Sequence, residues 1–395
     1  MKGEINMVQK GIKLQLYPNK GQEKLLNNMF GNNRFLWNLL LEMQQVRYTL
    51  FGLSCMSAYT MDSLVTQLKS VYPFLKLSDS SALQKLTNSL NTSYWNFIKE
   101  PHKYGMPKFK SRRFDEKAYT GKSKSVAVVD KRHVKLPKLG VVKSSKTGVF
   151  KDTDQIKEYT ISQDNIGRYW VSFSVDTGIE PTPLRQPYNL DNVHGIDVGI
   201  RYLAVLSDGT EFKPFDFRPL EKEIRKADSK YAKRKNRILK DIEKGLYPGK
   251  KLSDFKNLEK ARISRAKKYD KLKNKRKDYL HKLTTYLADE YDILVVENLN
   301  IKGMMKNHKL AKSIANAAWC EFVRMLEYKL QWQGKRLIKV SPHNTTQQCS
   351  CCGHIGPHID LGVEYWTCEK CGTRHKRDTN AAINIRIKGL VLIYT

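Results

Sequence analysis

Five of the seven cysteines in this 395-residue sequence crowd into one short segment near its end. Two CxxC pairs, Cys349-x2-Cys352 and Cys368-x2-Cys371, are separated by a 15-residue spacer, and a glycine follows each pair. Each pair can form a tight turn that directs two sulfurs at one ion, so the spacing predicts a tetrahedral Cys₄ zinc site. Four ligands leave no open position, and we therefore expect a structural zinc. Cys351-x2-His354 is a competing half-site, which symmetry with the second pair disfavours.

Three acidic residues stand where a carboxylate needs a partner. Asp197 lies within the apolar stretch GIDVG, Glu297 ends the stretch ILVVEN, and Asp378 follows the second cysteine pair at the start of a predicted helix. Burying an unpaired carboxylate is costly unless it binds a cation. Two Mg²⁺ or Mn²⁺ ions, typically about 3.5–4 Å apart, would relieve the repulsion of clustered acids and support phosphodiester cleavage. The order strand Asp, strand Glu, helix Asp resembles the layout of an RNase H-like nuclease.

Each of these acids also has an ordinary structural explanation. Asp378 would be a good helix N-cap, Glu297 could pair with one of many lysines, and Asp197 could be a turn acid. Two residues near Asp378 likewise have both a functional and an ordinary explanation. His375 is either a metal or phosphate contact or an exposed loop residue, and Arg377 either holds the backbone or a scissile phosphate or is solvated.

The charge of the chain indicates a polyanionic partner. Its formal net charge is +32, from 71 basic and 39 acidic residues. Neutralising phosphates releases counterions, so nucleic acid is the expected partner. The loop KYGMPKFKSRRF (103–114) interleaves cations with rings, which suits RNA or single strands. The basic residues at 222–280 are too many for a purely solvated face and favour contact with a duplex.

The elements that must position these residues can be read from periodicity. A helical block at 20–100 separates a strand at 11–18 from alternating strands at 115–180, which read as an antiparallel sheet or barrel containing the first strand. A Pro-rich stretch at 180–187 reads as a linker. Beyond it we expect these elements: a strand pair around Gly199, two long basic helices within 219–290 as a hairpin, a buried strand at 291–299, a helix over about 312–333, the strand KRLIKVSP and the closing helix DTNAAINIRIKGLVL.

Targeting and membrane features are not expected. The opening stretch MKGEINMVQKGIKLQLYPNK has no apolar core of a signal peptide, and no run reaches 18 apolar residues. Clustered cysteines suit metal binding in a reducing compartment. We therefore expect a cytoplasmic, nucleoid-associated protein of a bacterium or archaeon, with no membrane partner.

The chain resembles the TnpB family, the OrfB-type proteins of bacterial insertion sequences, which are related to type V CRISPR effectors. The resemblance covers nearly the whole chain. It rests on these stretches: KLQLYPNKGQEKLLNNMFGNNRFLWN, PKFKSRR, KLPKLG, GIDVGIRYLAVLSDG, VVENLNIKGM, AWCEFVRMLEYK and CSCCGH…WTCEKCG…RDTNAAINI. Its departures are small, since Cys351 makes the first cysteine pair a CxCC and MKGEINMVQ precedes the usual opening strand.

The resemblance implies an α+β multidomain fold with a RuvC-type, RNase H-like nuclease. Asp197, Glu297 and Asp378 would be its catalytic, metal-binding acids, beside a zinc ribbon at the four paired cysteines. The implied domains are an antiparallel β-barrel wedge (1–19 and 101–186), an inserted helical recognition lobe (20–100), the nuclease with its basic helical hairpin (187–344), a target nucleic-acid-binding zinc ribbon (345–376) and the closing nuclease helix (377–395).

The resemblance further implies an RNA-guided DNA endonuclease. It would bind a guide RNA derived from the transposon end, recognise a short motif beside the target, open double-stranded DNA and cut it in one RuvC site, with base pairing giving most of the specificity. One chain would serve each guide RNA. Two alternatives are a guided DNA-binding repressor without cleavage, which the complete acid set disfavours, and a DNA-joining transposase. A compact CRISPR effector is a close variant.

Overall fold

The fold is taken from a computed structural model, which describes residues 8–112, 115–122, 124–178, 192–360 and 362–394. The chain divides into two compact units, Met1–Glu180 and Pro181–Thr395. The predicted linker at 180–187 lies outside the described residues. Within the part that the structure describes, no helix is both long enough and apolar enough to cross a bilayer.

The first unit contains the predicted helical block, which is confirmed. Its helices are α1 (Lys20–Phe51), α2 (Ala58–Val71) and α3 (Ser80–Lys99). Helix α1 begins after Asn19 because a capping box forms: the Asn19 side chain accepts from the Gln22 amide, and the Gln22 side chain accepts from the Asn19 amide. It ends at Gly52, whose φ of 61° is the left-handed conformation of a helix C-cap.

An antiparallel sheet completes the first unit. Its strands are β1 (Gln9–Tyr17), β2 (Lys117–Lys122), β3 (Ala127–Asp130), β4 (His133–Leu136), β5 (Gly140–Ser144), β6 (Gln155–Gln163) and β7 (Tyr169–Asp176). Among the described residues the order is β2-β6-β7-β1-β5-β4-β3. Strand β1 therefore lies in the middle, as predicted, and the helices are an insertion after it. No pairing joins β2 to β3 in the described residues, so closure into a barrel stays a prediction.

A mixed sheet forms the centre of the second unit. Its strands are β8 (Val193–Asp197), β9 (Ala204–Leu206), β10 (Glu211–Phe212), β11 (Ile293–Glu297) and β12 (Arg336–Val340). In the described residues their order is β10-β9-β8-β11-β12. Strands β8, β11 and β12 are parallel to one another, whereas β9 pairs antiparallel with both β8 and β10. Asp197 ends β8 and Glu297 ends the neighbouring β11. The carboxyl ends of adjacent parallel strands lie at one edge of the sheet, so these two acids share that edge.

Helices cover both faces of this sheet. They are α4 (Arg218–Glu243), α5 (Lys256–Glu290), α6 (Ile301–Met304), α7 (His308–Ala317), α8 (Trp319–Trp332) and α9 (Arg377–Tyr394). The cores show the arrangement: Leu287 of α5 and Phe322 of α8 pack with Leu294 of β11, whereas Ile385 of α9 packs with Val295. Helices α4 and α5 form the predicted basic hairpin, with ion pairs such as Arg265–Asp228 at 2.5 Å.

One helix prediction was wrong. A single helix was expected over about 312–333, but the chain turns at Ala318, whose φ is 52°, and forms α7 and α8. The turn lets Ile314 before it and Trp319 after it enter the same core. The Trp319 indole also donates to the carbonyl oxygen of Gly199 at 3.3 Å, which ties α8 to the chain just beyond Asp197.

Candidate metal centres of the second unit

The three predicted acids are brought together by different elements. Asp197 and Glu297 end adjacent parallel strands, and Asp378 lies in the first turn of α9, one residue inside the helix. Burial, and then the negative charges of Glu297 and Asp378, raise the pKa of Asp197 to about 8. All three residues are half-buried. These three acids, here called the acid cluster, lie near enough at one edge of the sheet for their charges to interact, although their oxygen atoms do not all lie within 4.8 Å of one another. Carboxylate oxygens are the hard ligands that Mg²⁺ and Mn²⁺ prefer.

Glu297 has a half-buried carboxyl that accepts a hydrogen bond from a hydroxyl group. Burial raises the pKa of its carboxyl, while the Thr345 hydroxyl, which donates to Glu297 Oε1 at 2.5 Å, and the charge of Lys388 oppose that rise. The charge of Lys388 acts on this carboxyl, so a lysine partner remains an explanation of Glu297 beside metal binding.

Arg377 is part of this environment and is not a freely solvated side chain. Only 17% of it is exposed, its Nη1 donates to the Asp360 carbonyl at 3.3 Å, and its Nε lies 3.9 Å from Asp378 Oδ1. Its positive charge acts against the raised pKa of Asp197. The acid cluster thus has the Arg377 guanidinium beside it, placed by the same helix turn that carries Asp378.

The four paired cysteines converge as predicted. Among the described residues, Cys349, Cys352, Cys368 and Cys371 are the one set of three or more His, Cys, Asp or Glu whose ligand atoms all lie within 4.8 Å of one another. The Sγ atoms of Cys349 and Cys371 are 3.6 Å apart, and those of Cys352 and Cys368 are 3.7 Å apart. A tetrahedron with Zn–S bonds of about 2.3 Å has S···S edges of about 3.8 Å, so the cysteines fit zinc.

The competing ligands lie outside this group. Cys351 is exposed, and neither it nor His354 belongs to the cluster. Hydrogen bonding with Thr373 lowers the pKa of Cys371 to about 6, which favours the thiolate that zinc requires. The four paired cysteines form a closed set, so the site needs no fifth ligand.

His375 is buried, which contradicts the exposed-loop explanation. It lies in β14 (Arg374–Lys376), which pairs with β13 (Tyr365–Thr367), and its ring centroid is 4.9 Å from that of Trp366. Its Nε2 is 3.0 Å from Cys349 Sγ. A histidine that contacts a ligand sulfur orients that ligand, and α9 begins at the residue after β14.

The cysteine segment is also tied to the hairpin that follows Asp197. Arg201 Nη1 lies 2.7 Å from Glu364 Oε2, and Lys376 forms an ion pair with Glu211 of β10. These links, with the direct passage from β14 into α9, join the cysteine cluster to the elements that carry Asp197 and Asp378.

Sequence reasoning missed three buried polar residues between the two centres. Thr345, Asn380 and Asn384 are 2%, 1% and 4% exposed, respectively. The two asparagines are four residues apart on an otherwise apolar face of α9, a spacing that places both on one side of a helix. That spacing within RDTNAAINI was the available signal; the position of Thr345 had none.

The basic loop of the first unit is held in place by two side chains of α1. The Trp37 indole donates to the Lys108 carbonyl at 3.0 Å, and the Asn38 side chain both accepts from the Lys110 amide and donates to its carbonyl. Lys110 Nζ lies 3.9 Å from the Trp37 ring centroid. Between these anchors Phe109 is 52% exposed, so its ring is presented to solvent by an ordered backbone.

The comparisons with known proteins agree on one family. Residues 173–308 match the OrfB model of IS605 elements, described as "Probable transposase", residues 7–52 match the helix-turn-helix model of the same proteins, and residues 319–385 match the Cas12f1-like TNB domain. Together these segments take in more than half of the chain.

Similar proteins match over nearly the full length. A "Putative RNA-guided DNA endonuclease" of Streptomyces pristinaespiralis is 29% identical over 391 residues, which cover 98% of this chain and 90% of that protein. InsQ of Escherichia coli K12, which carries the same description, is 27% identical and covers 96% and 92%. Among solved structures, the protein of a Cas12f1–sgRNA–target DNA complex has a TM-score of 0.48 at 15% identity, over 96% of this chain and 99% of that one. The chain belongs to the TnpB family, the OrfB-type proteins of insertion sequences.

Proposed function

We propose that this protein is an RNA-guided, divalent-metal-dependent DNA endonuclease. The observation that carries the proposal is the placement of Asp197 and Glu297 at the ends of adjacent parallel strands with Asp378 nearby, where burial and then the charges of the other two carboxylates raise the pKa of Asp197 to about 8. Its relatives are described as RNA-guided DNA endonucleases. The excess of positive charge supports guide RNA and double-stranded target DNA as partners.

The three acids would hold Mg²⁺ or Mn²⁺. When bound, such ions stabilise the attacking and leaving oxygens of phosphodiester cleavage and help generate the nucleophile. The chain itself supplies the rest of the site. Adjacent strand ends fix Asp197 and Glu297, the first turn of α9 fixes Asp378, and Arg377 places a positive charge beside Asp378, where it can hold a phosphate oxygen.

The finer domain assignments remain part of this proposal. The second unit would be a RuvC-type, RNase H-like nuclease, because its acids follow the order strand Asp, strand Glu, helix Asp. The four cysteines would hold a structural zinc within the ribbon at 345–376, which would bind target nucleic acid. In the first unit, the wedge and recognition lobe would hold the guide and read the adjacent motif. One chain per guide RNA, in the cytoplasm beside the nucleoid, completes the proposal.

Two other functions make different predictions. A guided repressor would bind its target without cutting it, yet this chain retains all three acids. A DNA-joining transposase would use the same acids for strand transfer, but it would not require a guide. The identity of the bound RNA therefore separates the endonuclease from the transposase, and cleavage separates it from the repressor.

The first experiment is to express the protein with its native downstream locus and sequence the RNA that copurifies. One discrete noncoding RNA, ending in sequence from outside the element, is expected. Its end would then be reprogrammed to a plasmid sequence, and Mg²⁺-dependent cutting of that plasmid would be measured with wild-type protein and with Asp197→Ala. We expect Asp197→Ala to bind RNA and target normally without cutting. A heterogeneous mixture of cellular RNA, or cutting by Asp197→Ala, would contradict the proposal.

A further inference from the structure

A chain of hydrogen bonds runs from the buried side chains of Asn380 and Asn384 in α9 to the turn segment at 345–350, which contains Cys349. Asn380 Nδ2 donates to the Gln348 carbonyl at 2.8 Å, and Asn380 Oδ1 accepts from the Ser350 amide at 2.9 Å. Asn384 Nδ2 donates to the Gln348 carbonyl at 2.6 Å and to the Thr345 carbonyl at 2.9 Å. Two side chains of one helix therefore satisfy backbone groups along the whole segment.

These contacts fix the segment where regular secondary structure does not. A buried side-chain amide is stable only when its donors and acceptors are paired. Each asparagine therefore holds in one position the backbone groups to which it is hydrogen-bonded. The two asparagines share the Gln348 carbonyl as an acceptor, which leaves little freedom between them. The segment has a second anchor at Cys349, one of the four clustered cysteines.

Thr345 connects the segment at 345–350 to Glu297 of the acid cluster. The residue before it, Asn344, has a φ of 59°, a left-handed conformation that asparagine tolerates better than most residues. The Thr345 hydroxyl then lies 2.5 Å from Glu297 Oε1 and 3.0 Å from the Pro342 carbonyl. The hydroxyl has one proton, and the charged carboxylate is the stronger acceptor of the two.

We propose that Thr345 is a positioning residue for metal binding at Glu297, and that Asn384 and Asn380 hold Thr345 in place. The helix whose first turn carries Asp378 would thereby also set the orientation of the Glu297 carboxylate. One rigid unit then extends from the four cysteines to two of the three acids. This inference rests on the proposed function, because it assumes that the acids bind a divalent cation.

Two substitutions at one position test the role of the hydroxyl. Thr345→Val keeps the shape of the side chain and removes the donor, whereas Thr345→Ser keeps the donor. Both would be studied as full-length protein with its copurified RNA. Mn²⁺ binding is measured by electron paramagnetic resonance of the free ion, zinc content by elemental analysis, folding by thermal melting, and cleavage as a function of Mg²⁺ concentration.

We expect Thr345→Val to retain zinc and fold, and to require about tenfold more Mn²⁺ for half-saturation, the loss typical of removing a hydrogen bond to a metal ligand. Thr345→Ser should bind Mn²⁺ as the wild type does. Wild-type Mn²⁺ affinity in Thr345→Val would overturn the proposal, and so would equal impairment of both variants. Loss of zinc or folding in parallel with loss of Mn²⁺ would also overturn it, since Thr345 would then be merely structural.

A double-mutant cycle keeps the test sharp if Thr345→Val is partly destabilised. In the Glu297→Ala background, Thr345→Val should cause no further loss of Mn²⁺ affinity, because the acceptor of the Thr345 hydroxyl is already absent. Additive losses would overturn the role assigned to Thr345. If the wild type binds Mn²⁺ through Asp197 but cuts no DNA, the endonuclease proposal fails. The role of Thr345 is still tested in that case, because Mn²⁺ affinity can be compared between the wild type, Thr345→Val and Thr345→Ser.

Discussion

Gly195 of β8 and Ala382 of α9 are in direct backbone contact. A Cβ atom on Gly195 would overlap the Ala382 carbonyl oxygen and lie 2.5 Å from the Arg386 amide nitrogen. Only a residue without a side chain allows this approach. The contact matters for the site because β8 ends at Asp197, two residues beyond Gly195, and the first turn of α9 carries Asp378.

Gly195→Ala should therefore separate α9 from the sheet. We expect a loss of about 3 kcal/mol in the free energy of unfolding, as for overpacking against rigid backbone, and a strong loss of cleavage as the acids move apart. Denaturant unfolding and plasmid cutting measure the two effects. The matched control is Gly31→Ala in α1, where a new Cβ meets nothing within 4 Å and a gain of about 0.5–1 kcal/mol is expected. Equal stability of both variants would contradict the packing argument.

The raised pKa of Asp197 predicts a pH dependence of stability in protein free of Mg²⁺ and Mn²⁺. The folded state holds a proton up to a pH of about 8, whereas an unfolded aspartate loses it near a pH of about 4. Where the folded state binds more protons, stability falls as pH rises, here between those two values. Asp197→Asn cannot titrate, so its melting temperature should fall less over this range.

The measurement is thermal melting of wild type and Asp197→Asn across that pH range, with zinc retained. The difference between the two curves isolates Asp197 from other titrating groups. Added Mn²⁺ should stabilise the wild type more at high pH than at low pH, because ionised carboxylates are the ligands. Parallel curves for the two proteins would show that Asp197 is not in the crowded environment described above.

Local patterns were sufficient to predict the elements that carry the chemistry. Apolar runs identified the strands that end in Asp197 and Glu297, and the spacing of the CxxC pairs identified the four-cysteine cluster. These features can be predicted because a buried strand and a pair of CxxC turns each restrict the types of residues that are close together in the sequence. The strand at 11–18 was also assigned correctly to the sheet of the first unit, since its alternation matches a half-buried sheet.

Contacts between distant residues were not predictable in this way. The break at Ala318 follows from packing on both sides of the turn, which overrides helix periodicity. The sequence left His375 open between a metal or phosphate contact and an exposed loop residue, yet its side chain is buried and lies against Trp366 and Cys349. Thr345 bonds Glu297 across 48 residues of chain, and nothing in the sequence around either residue indicates that pairing. Tertiary hydrogen bonds of this kind leave no periodic pattern.

Zinc should support the region that bears Asp378. Cys368→Ser removes one of four ligands, so we expect loss of zinc and a lower melting temperature, with cleavage lost as well because α9 follows the cysteine segment directly. Elemental analysis and thermal melting measure the first two effects. Cys351→Ser is the matched control: this exposed cysteine lies outside the cluster, and its variant should keep zinc and stability. Unchanged zinc in Cys368→Ser, or zinc loss in Cys351→Ser, would contradict the ligand assignment.

The Phe109 ring should stack on a nucleic-acid base. The loop that carries it is anchored on both sides by Trp37 and Asn38, and Lys108 and Lys110 are the neighbours of Phe109 in sequence. Phe109→Leu keeps the apolar bulk but removes the aromatic face, so RNA affinity should fall by about 1–3 kcal/mol, the usual contribution of one stacked base. Because the side chain is 52% exposed, the melting temperature should hardly change.

Phe109→Tyr is the matched control, since it keeps an aromatic face of the same size and should bind RNA as the wild type does. Affinity is measured by fluorescence anisotropy with labelled copurified RNA at fixed salt, because phosphate contacts make every such affinity salt-dependent. The slope of affinity against salt should be the same in all three proteins, since no cation is removed. If Phe109→Leu binds as tightly as wild type, the loop contributes charge alone, and Lys108 and Lys110 rather than the ring would carry its contact with RNA.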